Sequence, residues 1–443
     1  MSTTVKRSKP PSAAGQGHVP ALEGLRGVLA VGVVAAHSAI YSGATAAGWN
    51  NSYKSNTISL WLGPIYQVTV PIFCAMAGLL LYRQFADSAI RGAKMQPVRP
   101  YLWRRALRIL PLYWVVVVVG LVTITGNQPT SLWGWIRPLG FMQIYQKNAY
   151  GNAAIPNGMI PTWSLSSEAV FYLVLPVLAL LLAGLAALVG RRSVENRAKA
   201  VYAGLALLLV FNVGWVAWIH RKAAGQWPLQ WFWLPSLIGY FAVGMAVAAL
   251  ASRAGAPGAA PSRAYQALRR AKPGLWVLAG VTFVLSGIPA LVGKDPAELD
   301  YQNIPHGLTA FAINLVCAGS VITAIAIGGG RQHVLDSKPV AFLGRISYGV
   351  YLWHEIVLTL WFQETNRKLG SGDFWLVYAV ALSITLAVAT VSHYVIELPG
   401  RRLRTRLGKA STGFVVPDLQ PVPSVPAPVP AGAGAGAGAA NTA

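Results

Sequence analysis

The chain has 443 residues, of which 54% are hydrophobic and 11% charged. So few charges could not clothe the two or three soluble domains that the length alone would suggest. The net charge of +23 does not point to nucleic acid, because the lysines and arginines sit at the ends of apolar stretches and not on one face of a soluble module.

In chain order, residues 1–20 are polar, carry Lys6, Arg7 and Lys9, and read as a disordered N-terminal segment. Ten apolar segments follow at roughly 26–45, 58–82, 105–125, 162–190, 200–219, 231–251, 274–293, 307–328, 341–363 and 374–396. Each approaches the roughly 20 residues that a spanning helix needs. The fold class expected is therefore an all-α polytopic membrane protein with about ten transmembrane helices, its membrane domain covering 21–405. The first run contains Arg26 and His37, which argues against a cleaved signal peptide. Segment 132–146 is apolar but short and broken by Arg137 and Pro138, so it reads as interfacial or re-entrant and not as an eleventh span. Residues 406–443 turn to Pro, Ala and Gly and read as a disordered cytoplasmic tail. Cys74 and Cys317 both fall inside apolar segments and read as small buried hydrophobes.

Charge tests the count. With ten spans, 25 of the 36 basic residues fall in loops on the side of the termini and eight on the other. That bias places both termini in the cytoplasm, and an eleventh span would scramble it.

Ionisable groups inside spans are costly and are read as functional candidates. Arg26 and His37 are eleven residues apart, about three helical turns, so they share a face with an axial separation of about 16 Å. This puts a cation at the cytoplasmic edge and an imidazole near mid-bilayer. Ser164, Glu168 and Tyr172 share a face of the fourth span, with Glu168 about 9 Å below its outer edge. Ser347, Tyr351 and His354 share a face of the ninth, with His354 about 18 Å in from the cytoplasmic side. His37, His354 and Glu168 are thus expected at similar depth, in one polar chamber. Arg105 and Arg108 form an RxxR pair at the cytoplasmic edge, suited either to lipid headgroups or to a phosphate ligand. His393 and Glu397 read as structural.

These motifs together resemble the membrane acyltransferase-3 family over about residues 20–405. The similar features are the Arg26-x10-His37 pair, PIFCAMAGLLL from Pro71, the Arg105/Arg108 pair, WSLSSE from Trp163 to Glu168, and SYGVYLWH from Ser347 to His354. Cys74-Ala75-Met76-Ala77 departs from the aromatic-and-Ser stretch of the family. The resemblance implies a single-domain form without the esterase-like C-terminal domain of some members. It also implies a bacterial cytoplasmic (inner) membrane location and no permanently bound cofactor. Acyl-CoA, acetyl-CoA by default, would be the co-substrate, and an extracytoplasmic sugar or glycolipid hydroxyl the acceptor. Arg26, Arg105 and Arg108 would hold the CoA phosphates. His37 would be the general base, with Glu168 orienting it or holding the acceptor. Ser347, Tyr348 or His354 would steady the oxyanion, and Trp163, Ser164 and Tyr351 would complete the substrate site. Direct transfer and a route through an acyl-histidine are both open. A transporter or flippase for a glycolipid or polysaccharide unit is the alternative, because it too would carry polar residues at mid-membrane.

Overall fold

A computed structural model describes residues 20–45, 57–148, 153–190, 193–224, 228–258, 262–293, 303–327 and 334–400. The expectations for residues 1–19 and 406–443 lie outside the described residues. Of the described residues 82% are helical and none lies in a strand.

The long helices are α1 (Pro20–Ser42), α2 (Thr57–Arg91), α3 (Val98–Thr123), α5 (Thr162–Gly190), α6 (Val194–Ile219), α7 (Leu234–Ala254), α9 (Lys272–Ser286), α11 (Ile304–Ala326), α12 (Lys338–Glu364) and α13 (Phe374–Ser392). Between them lie the short α4 (Leu132–Leu139), α8 (Arg263–Arg270) and α10 (Pro289–Val292). Every expected span falls on one of the long helices. Among the described residues, eight helices are long and apolar enough to cross a membrane. The two others are α9, with 15 residues, and α12, which has 27 residues but carries Arg345, His354 and Glu355. Helices also outrun the expected spans: α2 continues to Arg91 and α3 begins at Val98. Hydropathy marks the part of a helix that suits lipid, whereas backbone hydrogen bonding continues past it. The 132–146 segment is the eight-residue α4 and a 3-10 turn, Gln143–Tyr145. Eight residues cover only about 12 Å, too little to cross.

Helix directions follow from paired contacts. Gly27 meets Gly344 and Tyr41 meets Thr359, so α1 and α12 run parallel. Tyr348 donates to Ile109 O, and Gln363 accepts from the Thr125 amide beyond the end of α3, so α3 runs with them. The starts of α1, α3 and α12 therefore share one end of the bundle, here the arginine end, because Arg26 lies in the first half of α1 and Arg105 and Arg108 in the first half of α3. Gly78 lies against Phe241 and Arg91 bonds Ser252 O, so α2 and α7 are also parallel.

Two seams depend on glycine. A Cβ on Gly27 would fall 2.6 Å from Gly344 N, and one on Gly244 would strike the Ala75 carbonyl. Small residues let helix backbones approach closely where no hydrophobic force drives them together in lipid. Leucines and valines of the outer faces, such as Leu173, Val177, Leu181, Leu207 and Val281, are exposed, as lipid contact requires.

Candidate active site

His37 lies on α1 and His354 on α12, 317 residues apart, and the parallel packing of the two helices brings their rings together. His354 Nε2 is 3.2 Å from His37 Nδ1, with ring centroids 4.9 Å apart. His37 Nδ1 also faces Val33 O at 3.1 Å. His354 Nδ1 faces Tyr351 O at 2.7 Å and Val350 O at 3.2 Å. A carbonyl can only accept, so both Nδ1 atoms carry hydrogen. That leaves His354 Nε2 as the acceptor of the His37 Nδ1–H and leaves the His37 Nε2 lone pair available. His354 is fully buried, while His37 keeps accessible surface. The two histidines, expected in one chamber, lie against each other.

Around the pair stand tyrosines. Tyr66 of α2 makes an edge contact with His37 at 5.9 Å. Tyr351 lies 5.9 Å from His354 and 6.1 Å from Phe73. Its hydroxyl is 2.7 Å from Ser164 Oγ and donates to Pro161 O at 3.0 Å. The Ser164 and Tyr351 faces expected to share a chamber therefore touch.

Glu168 accepts a hydrogen bond from Tyr172, one turn further along α5. Its carboxylate is within electrostatic reach of Cys74, Tyr101, Tyr348 and Tyr351. Arg105 and Arg108 are both within such reach of Tyr172, and Arg105 lies over the Tyr101 ring at 6.0 Å. The group that meets His37 is His354; Glu168 bonds elsewhere. Arg26 is on the first turns of α1, at the same end as the arginine pair.

Other candidates are occupied differently. Ser347 is buried and donates to Gly344 O at 2.8 Å, within its own helix. Tyr348 donates to Ile109 O at 2.9 Å and joins α12 to α3. Trp163 packs against Phe232 at 5.4 Å, on a different face of α5 from Ser164. His393 and Glu397 form a buried pair, 3.5 Å apart, across a π-helical turn, in keeping with a structural role.

Sequence reading missed Glu355, Tyr41 and Tyr66. Glu355 is buried and lies 3.5 Å from the Tyr41 hydroxyl. Two signals existed: an acid directly after His354 in a membrane helix, and a tyrosine one turn beyond His37. Tyr66 left no comparable signal.

Helices with lipid-facing leucines, an internal histidine pair and arginines at one end define a multi-pass membrane protein with a buried polar site. The chain belongs to the acyltransferase-3 family: residues 19–394 match that family's acyltransferase domain. It is also similar to acyltransferase MdmB of Streptomyces mycarofaciens, with 26% identity over 416 residues, which cover 89% of this chain and 94% of the relative. No solved structure matches it.

Proposed function

We propose that this acyltransferase moves an acyl group, acetyl in the simplest case, from cytoplasmic acyl-CoA to a hydroxyl of a carbohydrate or glycolipid acceptor on the opposite side of a bacterial cytoplasmic membrane. The protein crosses ten times, with both termini in the cytoplasm. Arg26, Arg105 and Arg108 hold the CoA phosphates, for which forked guanidinium donors are well shaped. The pantetheine arm runs along α1 toward His37.

The observation that carries this reading is the 3.2 Å pairing of His354 Nε2 with His37 Nδ1, because it leaves the other His37 nitrogen as a base. His37 Nε2 removes the proton of the acceptor hydroxyl as its oxygen attacks the thioester carbonyl. The tetrahedral intermediate then collapses, the C–S bond breaks, and the imidazolium returns the proton to the departing CoA thiolate. His354 shares the imidazolium's hydrogen through Nε2. The Tyr351 hydroxyl turns from Pro161 O to the oxyanion, and Ser164 Oγ keeps the Pro161 O bond in its place. Ser347 and Tyr348 keep their packing bonds and hold α12 in place.

The test is transfer of labelled acetyl from acetyl-CoA in membranes bearing His37→Ala or His37→Gln. Loss of about 10²–10⁴-fold is expected, the range for a general base, with thermal stabilisation by CoA retained. Undiminished transfer by a folded variant would reject His37 as the base.

A further inference from the structure

The 132–146 segment turns inward at its middle. Helix α4 ends where Met142 N–H donates to Arg137 O at 2.8 Å and Phe141 N–H to Pro138 O at 3.3 Å. This pair of bonds usually has glycine at its left-handed residue; here the residue is Phe141, at φ +61°. Left-handed backbone is costly for a bulky side chain and persists where the surrounding structure holds it for a purpose. The Phe141 ring stacks on Tyr113 of α3, with centroids 4.1 Å apart. Trp114 Nε1–H donates to Leu139 O at 3.1 Å and Trp233 Nε1–H to Ile144 O at 3.0 Å, which fastens the chain on either side.

What the turn delivers inward is Gln143, which is fully buried. Its Nε2 lies 2.9 Å from Ser166 Oγ, 3.1 Å from Thr162 Oγ1 and 3.4 Å from Tyr113 Oη. Each of these hydroxyls already commits its hydrogen to a carbonyl: Ser166 to Thr162 O at 3.0 Å, Thr162 to Met159 O at 2.7 Å and Tyr113 to Pro138 O at 2.6 Å. They can therefore only accept, which fixes the amide with its NH2 toward them. Its two hydrogens serve the two nearer acceptors, both at the start of α5. Gln143 Oε1 is buried without a hydrogen-bond partner among the described residues, a cost that an apolar side chain would not carry.

We propose that Gln143 is a positioning residue: by donating to Thr162 and Ser166 it holds the first turn of α5 in place while Tyr351, on the opposite face of that turn, releases Pro161 O to meet the oxyanion. Ser164 is about 200° around α5 from both hydroxyls; it donates to Pro161 O at 3.2 Å and bonds Tyr351 Oη at 2.7 Å. The turn is thus gripped from two sides. When the Tyr351 hydroxyl leaves Pro161 O, the grip on that side weakens, and Gln143 keeps Pro161 and Ser164 from following. The proposal rests on the acyl-transfer reading for its catalytic consequence, but the hold on α5 can be read without activity. Methionine matches glutamine in length and donates nothing, so it removes the hold and keeps the volume.

Hydrogen–deuterium exchange at the amides of residues 163–168, followed by mass spectrometry of the full chain in detergent, reads the hold directly. Gln143→Met is expected to accelerate that exchange about tenfold, the effect of losing buried hydrogen bonds that oppose local opening. Exchange in α1 and α12 stays at the parental rate. In the same variant kcat for acetyl transfer falls about 10–100-fold, as a small misplacement at a site can cause, while the KM for acetyl-CoA and stabilisation by CoA hold. Adding Ser166→Ala to Gln143→Met lowers kcat no further, because the two changes break the same bond. Should methionine prevent folding, Thr162→Val with Ser166→Ala removes the acceptors and is read in the same way. Parental exchange at 163–168 overturns the proposal, and so does equal acceleration in every helix, the mark of a general loss of stability. Local acceleration with kcat unchanged overturns it too. If exchange behaves as described but no acetyl moves in the parent, the hold on α5 stands and the acyl-transfer reading falls.

Discussion

His37 can act as a base only while its Nε2 lone pair is kept free, and His354 is what keeps it so. The ring is held by two acceptors on its Nδ1–H, Val33 O at 3.1 Å and His354 Nε2 at 3.2 Å. Without the second imidazole the His37 ring has a single backbone tether and turns more easily between tautomers and rotamers. His354→Ala should therefore lower kcat by about 100-fold, within the range that a general base supplies, with the KM for acetyl-CoA unchanged. The His37→Ala/His354→Ala double variant should be no slower than His37→Ala alone, because residues that act as a unit are not additive. Steady-state kinetics on the three variants checks this; a double variant slower by the product of the single losses would separate the two roles. At this scale much was legible. Helix rise counted along α1 and α12 put His37 and His354 together, and the two rings meet. Ser347 misled because a serine in a helix readily bonds the carbonyl one turn back, and the sequence does not tell that state from a free hydroxyl. Glu355 escaped because it sits about 100° around the helix from His354, off the face the periodicity picked out.

At the scale of elements, the site depends on how closely two helix pairs approach. Residues on α1 and α12 meet across the Gly27–Gly344 seam, and α2, which carries Tyr66, Phe73 and Cys74, is set against α7 where Gly78 of α2 meets Phe241 and Gly244 of α7 meets Ala75. A side chain at Gly244 would push α7 away from α2 at the level of Ala75, next to Cys74. Gly244→Val should lower the melting temperature in detergent and reduce acetyl transfer, since inserting methyl groups into a packed seam costs about 1–3 kcal/mol. Gly280 of α9 is the contrast, with nothing within 4 Å of its would-be Cβ. Gly280→Ala should be neutral or more stable by up to about 1 kcal/mol through helix propensity. Thermal melts of both variants decide it; equal destabilisation would show that packing at the seam is not what matters. Hydropathy located these helices but not their pairing. Helix α12 illustrates the limit: the groups that make the site, His354 and Glu355, are also what dilute its apolar character.

For the whole molecule, the number of crossings follows from direction. Eight helices satisfy length and apolarity, and α9 and α12 are the two in question. Helix α11 lies beside α7 with Phe311 near Gly239 and Gly319 near Val243, so the two run parallel. A chain that leaves α7 can re-enter parallel to it only after crossing back once, and α9, antiparallel to α11 because Ala279 meets Cys317 while Gly293 beyond α9 meets His306, is the element that does so. Helix α12 must in turn run with α1 for Gly27 to meet Gly344 and His37 to meet His354. Together with the basic residues gathered on one side, these directions support ten passes with both termini cytoplasmic. The α9 helix, at about 22 Å, is shorter than a hydrocarbon core of about 30 Å, so local thinning or the following α10 has to make up the difference. The expected outcome is specific. In a Cys74→Ala/Cys317→Ala background, Asn303→Cys at the foot of α11 should react with an impermeant maleimide added to intact cells, and Gly258→Cys, between α7 and α8, should react only after permeabilisation. Both positions reacting from the same side would mean that α9 does not cross. The parallel packing of α1 with α12 would then need another explanation, and the shared depth of the two histidines would lose its foundation.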